Sequence, residues 1–248
     1  GTRCESMAAS VGRIRGLRPV VARRGAILCG SIMCGYAHTS SAMASCGPRL
    51  PPMAPPKLDE AQQELFDNIV NTRIKVVGKE ALFDERGGLR GPWNPEVASP
   101  ALGQHLERLA TAVRTSNSLE ARLYEVAILV VGAHWQAQFE WYAHEKIARK
   151  AGVAEAAFPL IKAGAPAEQL RGILQDDEVA VYKLARELLE LKRVSSGTYY
   201  ETRRALGDDD RKMADLSMTM GCYSAVSTML NMFEVPLPHG EQLPFPEP

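Results

Sequence analysis

The chain has 248 residues, of which 46% are hydrophobic, and its 29 basic and 29 acidic side chains give a formal net charge of zero. No apolar run is long and clean enough to read as a membrane span, so no membrane partner is expected. The zero is unevenly built: seven arginines and one acid, Glu5, fall in residues 1–56, so residues 57–248 carry a net charge of −6, which argues against broad nucleic-acid binding.

The first 56 residues read as an address. From Met7 they are rich in Arg, Ser, Ala and Gly, nearly free of acids, and without a core-forming period, as organellar presequences are. The uncharged stretch that follows, with AILCGSIMCGYA and the triplet Ala42-Met43-Ala44, can also be read as the apolar region and cleavage site of a secretory or bipartite signal, or as a disordered leader. Six arginines ahead of that stretch favour an organelle, mitochondrion before plastid. Cys4, Cys29, Cys34 and Cys46 all lie in this leader, so the body keeps only Cys222. One thiol makes no disulfide framework, zinc knuckle or CxxC pair.

RLPPMAPP, Arg49 to Pro56, is a proline-rich hinge that closes the leader and opens a body over 57–238. The pattern then predicts a helix over Leu58–Val70, an ordered Gly/Pro-rich loop over Glu85–Pro100 holding Trp93, and a helix over Ala101–Val113. Asn117-x-x-Glu120, with Ser118 as a competing cap, announces an apolar helix that Gly132 interrupts. A second helix runs from about Gln136 to Ala151 and stops at Gly152, where a left-handed cap is expected. Amphipathic helices follow over Asp177–Arg193, over SSGTYYETRRALG with Ser195 or Ser196 near its start, and over the Met-rich Arg211–Phe233. Residues 239–248 are a Pro-rich tail. No alternating strand stands out, so the expected class is all-α.

The candidate site lies in the central pair of helices. Glu125 sits in an apolar run, Leu123 to Val131, where a carboxylate costs several kcal/mol unless paired, hydrogen-bonded or protonated. On one straight helix Glu125 and His144 would be roughly 28 Å apart. A turn near His134 folds them side by side, because the midpoint of 125 and 144 falls between His134 and Trp135. Glu140 and His144, four apart, share a face. His134 at the turn, beside the start of the second helix, suits an anion, with Trp135, Phe139 and Trp141 as apolar walls. A small anionic, partly apolar organic molecule fits such a pocket.

Plainer readings stand beside these. Glu125 can pair with Arg122, and His144 can be a core histidine bonded to Glu140. His134 can be a solvated turn residue, and the aromatics can simply pack. Glu140 and His144 resemble half of a metal site, but no second pair matches them, so no metal is expected. Core packing is the default for Cys222 and Tyr223.

At these residues the sequence resembles the carboxymuconolactone decarboxylase family, within the superfamily of alkylhydroperoxidase D-like proteins. The resemblance runs from Arg49-Leu50-Pro51-Pro52 through GPWNPEVASPALGQHLERLATAVR and YEVAILVVGAHWQAQFEWYAH to TMLNMFEVPLP, covering nearly all of 49–238. It implies a helical bundle built around a central antiparallel helical hairpin, assembled as trimers or hexamers. The thiol-dependent members carry a Glu matching Glu125, a CxxC pair at the start of the second helix, and a His matching His144. Here the two cysteine positions are Ala137 and Glu140, which removes the peroxidatic and resolving thiols. Decarboxylase members share the Glu at 140 and the His at 144, and tend to place a histidine where this chain has Gly221, before Cys222. Residues 160–210 form an insert relative to the short decarboxylases.

The resemblance therefore implies cofactor-free acid–base chemistry, a decarboxylation or related lyase reaction, on a small organic acid or lactone. Glu125, His144 and Glu140 would be catalytic, and His134, Trp135 and Trp141 would bind substrate. An antioxidant of the alkylhydroperoxidase type and a non-catalytic assembly subunit are the alternatives.

Overall fold

The computed structural model describes residues 48–247. The leader, its four cysteines and the readings made on 1–47 lie outside the described residues. Among those described, the chain forms ten α-helices and one 3-10 turn. The helices are α1 (Glu60–Val77), α2 (Lys79–Leu82), α3 (Trp93–Ala98), α4 (Pro100–Thr115), α5 (Ala121–His134), α6 (Gln138–Ala151), α7 (Ala157–Lys162), α8 (Asp176–Leu191), α9 (Ser196–Ala205) and α10 (Asp210–Met232). The 3-10 turn is Ala167–Leu170. The all-α expectation holds.

α5 is the axle. Residues 125–132 are all buried, so it is apolar almost all round, as a helix enclosed by others must be. It packs against α6, α8 and α10 in one large core with Ile128, Leu129, Trp141, Tyr182, Leu216 and Met220. A smaller core of Leu65, Phe66, Ile69, Leu82, Leu89 and Val97 gathers under α1 to α3.

Several elements depart from the sequence pattern, each for a visible reason. α1 runs a further two turns to Val77, because Ile74 and Val77 pack on the smaller core and Arg73, a charge on that buried face, is paired there. The Gly/Pro-rich stretch contains α3. Its proline, Pro95, lies in the first turn, where a missing N–H costs nothing. α3 and α4 approach so closely that a Cβ on Gly103 would stand 2.1 Å from the Glu96 carbonyl oxygen.

Gly132 stays inside α5. The expected cap of α5 is not used: Glu120 occupies the N-cap with no side-chain capping bond. Asn117 and Ser118 instead tie the α4–α5 loop to α10, Asn117 donating to Thr219 Oγ1 at 3.0 Å and Ser118 donating to Asp215 at 2.8 and 2.6 Å. The Gly152 and Ser195 expectations hold. Gly152 is left-handed at φ 98, and Ser195 accepts from the Thr198 N–H.

The tail is anchored on the body. The Gln138 amide donates to the Phe245 carbonyl at 2.8 Å and accepts from its N–H at 2.9 Å, while the Phe245 ring meets Trp141 edge-on. At the other end Arg49 donates to Glu234 and to the Met232 carbonyl, so the proline-rich hinge is held at the end of α10.

Candidate active site

A three-residue turn, Trp135 to Ala137, joins α5 to α6, with Gln136 left-handed at φ 48 and Ala137 N–H returning to the Gly132 carbonyl at 2.9 Å. The helices therefore run antiparallel, and residues equidistant from the turn face each other. Glu125 and His144 meet across this hairpin: the His144 Nδ1–H donates to Glu125 Oε2 at 2.8 Å. One turn before His144 on α6, Glu140 Oε1 lies 3.4 Å from the other ring nitrogen, Nε2. All three side chains are buried, Glu125 at 1% exposure, Glu140 at 3% and His144 at 6%. The plainer pairing of Glu125 with Arg122 does not occur; Arg122 grips Asp177 through two bonds of 2.7 Å.

The electrostatics make this a proton-holding group. Burial, reinforced by the Glu125 charge, pushes the Glu140 carboxyl up to about 7, against the pull of His144. Burial works against the charge on His144, but the Glu125 and Glu140 carboxylates and the hydrogen bond it donates to Glu125 outweigh it, so its pKa rises. Glu140 Oε1 has no hydrogen-bond partner although it is buried. Such an atom is costly unless a proton, a water or a ligand meets it.

α10 closes the site. The Tyr223 ring stands edge-on to the His144 imidazole with centroids 4.8 Å apart, and burial followed by the nearby carboxylates holds its hydroxyl protonated. Beside it Cys222 is buried, and burial together with Glu140, Glu96 and Glu107 pushes its thiol up to about 12. A thiol so held is not a thiolate at neutral pH.

The remaining sequence candidates are elsewhere. His134 ends α5 on the surface, and Trp135 is 39% exposed beside it. His134 lines a separate hollow of about 270 Å³ with Gln136, Lys162, Gly164 and Arg186. Burial and then Lys192 lower its pKa. Trp141 is buried, but it donates to Glu145 and packs on Phe245 and Lys162, away from His144. The spacing argument that paired 125 with 144 made no distinction between the two sides of the turn, and this is why it grouped His134 and the tryptophans with them. Among the described residues no cluster of three or more His, Cys, Asp or Glu is placed to hold a metal ion. No described helix is long and apolar enough to cross a membrane.

Two residues whose electrostatics are coupled to this group escaped the sequence reading. Tyr124, half-buried beside Glu125, has its pKa raised by burial and then by that carboxylate. Arg114, in the last turn of α4, makes no ion pair or hydrogen bond among the described residues, yet its charge bears on Tyr124, Glu140, His144 and Tyr223. A signal for it exists in the sequence: positions 110, 111, 117 and 118 are Ala, Thr, Asn and Ser, so no acid stands three or four residues away to neutralise it.

No protein-family model matches the chain, and no curated protein matches it. Solved structures do. A peroxidase-related protein with an alkylhydroperoxidase AhpD core from Ralstonia eutropha JMP134 is similar over 78% of this chain and 93% of its own, with TM-score 0.58 and 14% identity. A peroxidase-related protein from Silicibacter sp. TM1040 is similar over 80% and 96%, with TM-score 0.56 and 15% identity. A protein of unknown function from Agrobacterium tumefaciens, whose description proposes an AhpD-type antioxidant role, covers 58% of this chain and 96% of its own at TM-score 0.50 and 17% identity. At these identities the likeness establishes the fold: the chain is an alkylhydroperoxidase D-like helical bundle.

Proposed function

We propose that the chain is a cofactor-free acid–base enzyme that decarboxylates a small organic acid or lactone, or performs a closely related lyase reaction, at Glu125, His144 and Glu140. The observation that carries this reading is the placement of one imidazole between two buried carboxylates, at 2.8 Å from Glu125 Oε2 and 3.4 Å from Glu140 Oε1. Glu125 orients the ring and keeps Nδ1 protonated. The opposite nitrogen, Nε2, is then the atom that gives or takes a proton. Glu140, titrating near neutrality, replenishes it.

The reaction balances without an oxidant. The bond between the carboxylate carbon and its neighbour breaks, CO2 leaves, and the electron pair stays on the substrate as an enolate spread onto an adjacent carbonyl. His144 protonates that carbon, and a proton from water restores the site. The test is CO2 release from a panel of carboxylactones and 3-oxo acids by the full chain. Glu125→Gln and His144→Ala should each abolish it with the circular dichroism spectrum unchanged; retained turnover in both variants sinks the assignment.

The descriptions of the structural neighbours raise the antioxidant alternative. Thiol peroxidation needs a thiolate and a resolving thiol. The positions for them hold Ala137 and Glu140, and Cys222 is a buried, protonated thiol. Hydroperoxide-dependent oxidation of a dithiol by residues 48–248 would restore that alternative.

A further inference from the structure

The hollow that His134 lines shares no residue with the Glu125–His144–Glu140 group. At about 270 Å³ it is larger than the roughly 150 Å³ that accepts a benzene ring. Three helices end on it: α5 at His134, α7 at Lys162, and α8 just past Glu190. Val130, Ile161 and Leu189 give it an apolar wall, while His134, Gln136, Lys162, Arg186 and Glu190 supply polar groups.

Helix C-termini carry partial negative charge, and left bare they would repel an anion. Here each is already met. Asn231 donates to the Trp135 carbonyl at the end of α5 at 2.6 Å. Beyond α7, Arg186 donates to the Gly164 carbonyl and, at 2.9 Å, to the Ala165 carbonyl. Lys192 donates to the Leu189 carbonyl in the last turn of α8. Arg186 is also closed off by Glu190, which accepts from its Nε at 2.9 Å and from Nη2, so those two charges cancel.

Lys162 is left over. Its ammonium makes no ion pair or hydrogen bond among the described residues, and lies 5.1 Å from the Trp141 ring centroid and 5.5 Å from that of Phe245. Aromatic faces hold an ammonium in place without consuming its three N–H donors as a carboxylate would. His134 adds no second charge at neutral pH, because burial and then Lys192 lower its pKa. The hollow therefore combines one uncompensated positive charge with an apolar wall.

We infer that this hollow is a binding site for a small aryl carboxylate, or one of similar bulk. The carboxylate meets Lys162 and the neutral His134 and Gln136 donors, and the apolar body covers Val130, Ile161 and Leu189. An inorganic anion would leave that wall wet, and a neutral arene would leave the ammonium unpaired, so affinity needs both halves. The site is independent of the acid–base chemistry, and His144 takes no part in it.

Benzoate, benzamide and sulfate are the probes, each titrated into the full chain while the His134 ring is followed by NMR. Benzoate should shift it saturably, and benzamide and sulfate should each bind at least about 10-fold more weakly. Lys162→Gln should weaken benzoate by about 10-fold or more and leave benzamide within about twofold. Ala163→Phe, at the exposed rim, should fill the hollow and weaken both. His144→Ala should leave benzoate binding unchanged. Equal affinities for the three probes overturn the inference, as does an absence of saturable binding. So does unchanged benzoate affinity in either folded hollow variant, or its loss in His144→Ala, which would put the ligand at the acid–base group. Carbon dioxide release bears on the decarboxylase reading alone, so the two can fail separately.

Discussion

Two groups of buried carboxylates lie within one fold and are neutralised in opposite ways. Under α1, α3 and α4, Glu107 is clamped by Arg73, with Thr111 bridging and the Trp93 ring 5.9 Å from the guanidinium. In the α5–α6 hairpin, Glu125 and Glu140 share His144. An arginine does not give up its proton at any physiological pH, so the first group is a fixed charge pair that holds helices together. An imidazole gains and loses its proton near neutrality, so the second group is one that can exchange a proton. Glu96 sharpens the contrast. It stands beside the fixed pair with an unmet oxygen, and burial followed by the Glu107 charge pushes it up to about 9, leaving it a neutral acid at pH 7. Among the described residues three buried acids carry an unmet oxygen, Glu96, Glu140 and Glu178, and of these Glu140 is the one that faces a histidine.

The sharpest way to separate the two regions is to disable each. His144→Ala should lower turnover per folded molecule by about 10²–10⁴-fold, the span of general acid–base catalysis, and it also costs stability because it removes the buried partner of Glu125 and Glu140. Arg73→Met should cost about 3–5 kcal/mol of stability because it strands a buried carboxylate, while turnover per folded molecule stays within about threefold. Urea denaturation and initial rates on the same samples check both, and a loss of turnover in Arg73→Met beyond its loss of folded protein would erase the distinction.

A smaller effect lies in pH. Glu140 has a native pKa of about 7 against an ordinary 4.5, so between those values the native state holds a proton the unfolded chain has released. Stability therefore falls as pH rises from about 4.5 to 7 and levels off above, by on the order of 3 kcal/mol. His144, also raised, acts in the same direction: its contribution is complete below its unfolded pKa and is lost as pH climbs through the folded one. Glu140→Gln should flatten the Glu140 part of the decline in a pH series of urea melts; an unaltered slope would show that Glu140 is not the titrating group. Glu96→Gln should flatten a decline of the same sign over a wider span, from about 4.5 up to about 9, because Glu96 stays protonated in the native state across it.

The least effect is expected at Cys222, which feels carboxylates of both regions. Cys222→Ala should leave turnover within about twofold and cost about 1 kcal/mol or less, as removal of a small buried group does. In the residue 48–248 fragment, with Cys222 the only thiol, a disulfide reagent should react only as fast as the protein opens. Rapid labelling of the native fragment would restore a thiol role.

Much of this was legible from residue spacing. Glu125 inside an apolar helix marked a buried acid, Gly152 marked the end of α6, and the midpoint near His134 placed Glu125 opposite His144. These are local rules with short range, and helical periods state them directly. α3 was read as a loop because its glycines and prolines outweigh a six-residue helix that only packing on α4 sustains. Asn117 and Ser118 looked like caps and serve as ties to α10, since a side-chain oxygen offers the same bond to either use. The tail looked separate because its anchor, Phe245 on Gln138 and Trp141, spans about a hundred residues of sequence.

The amino-acid sequence by itself determined that the body is helical, that its central helix buries an acid, and that no pair of thiols stands where peroxide chemistry would need one. Those properties follow from residue type and from periods of three to four. The tertiary structure decided which candidates meet: Glu125, Glu140 and His144 come together, while His134 lines a different hollow and Trp141 packs on Phe245. It also decided which charges are matched: Arg73 with Glu107, Arg122 with Asp177, and Arg114 with none among the described residues. Pairing is a property of distance and burial between segments far apart in the chain, and helical periodicity carries no information about either.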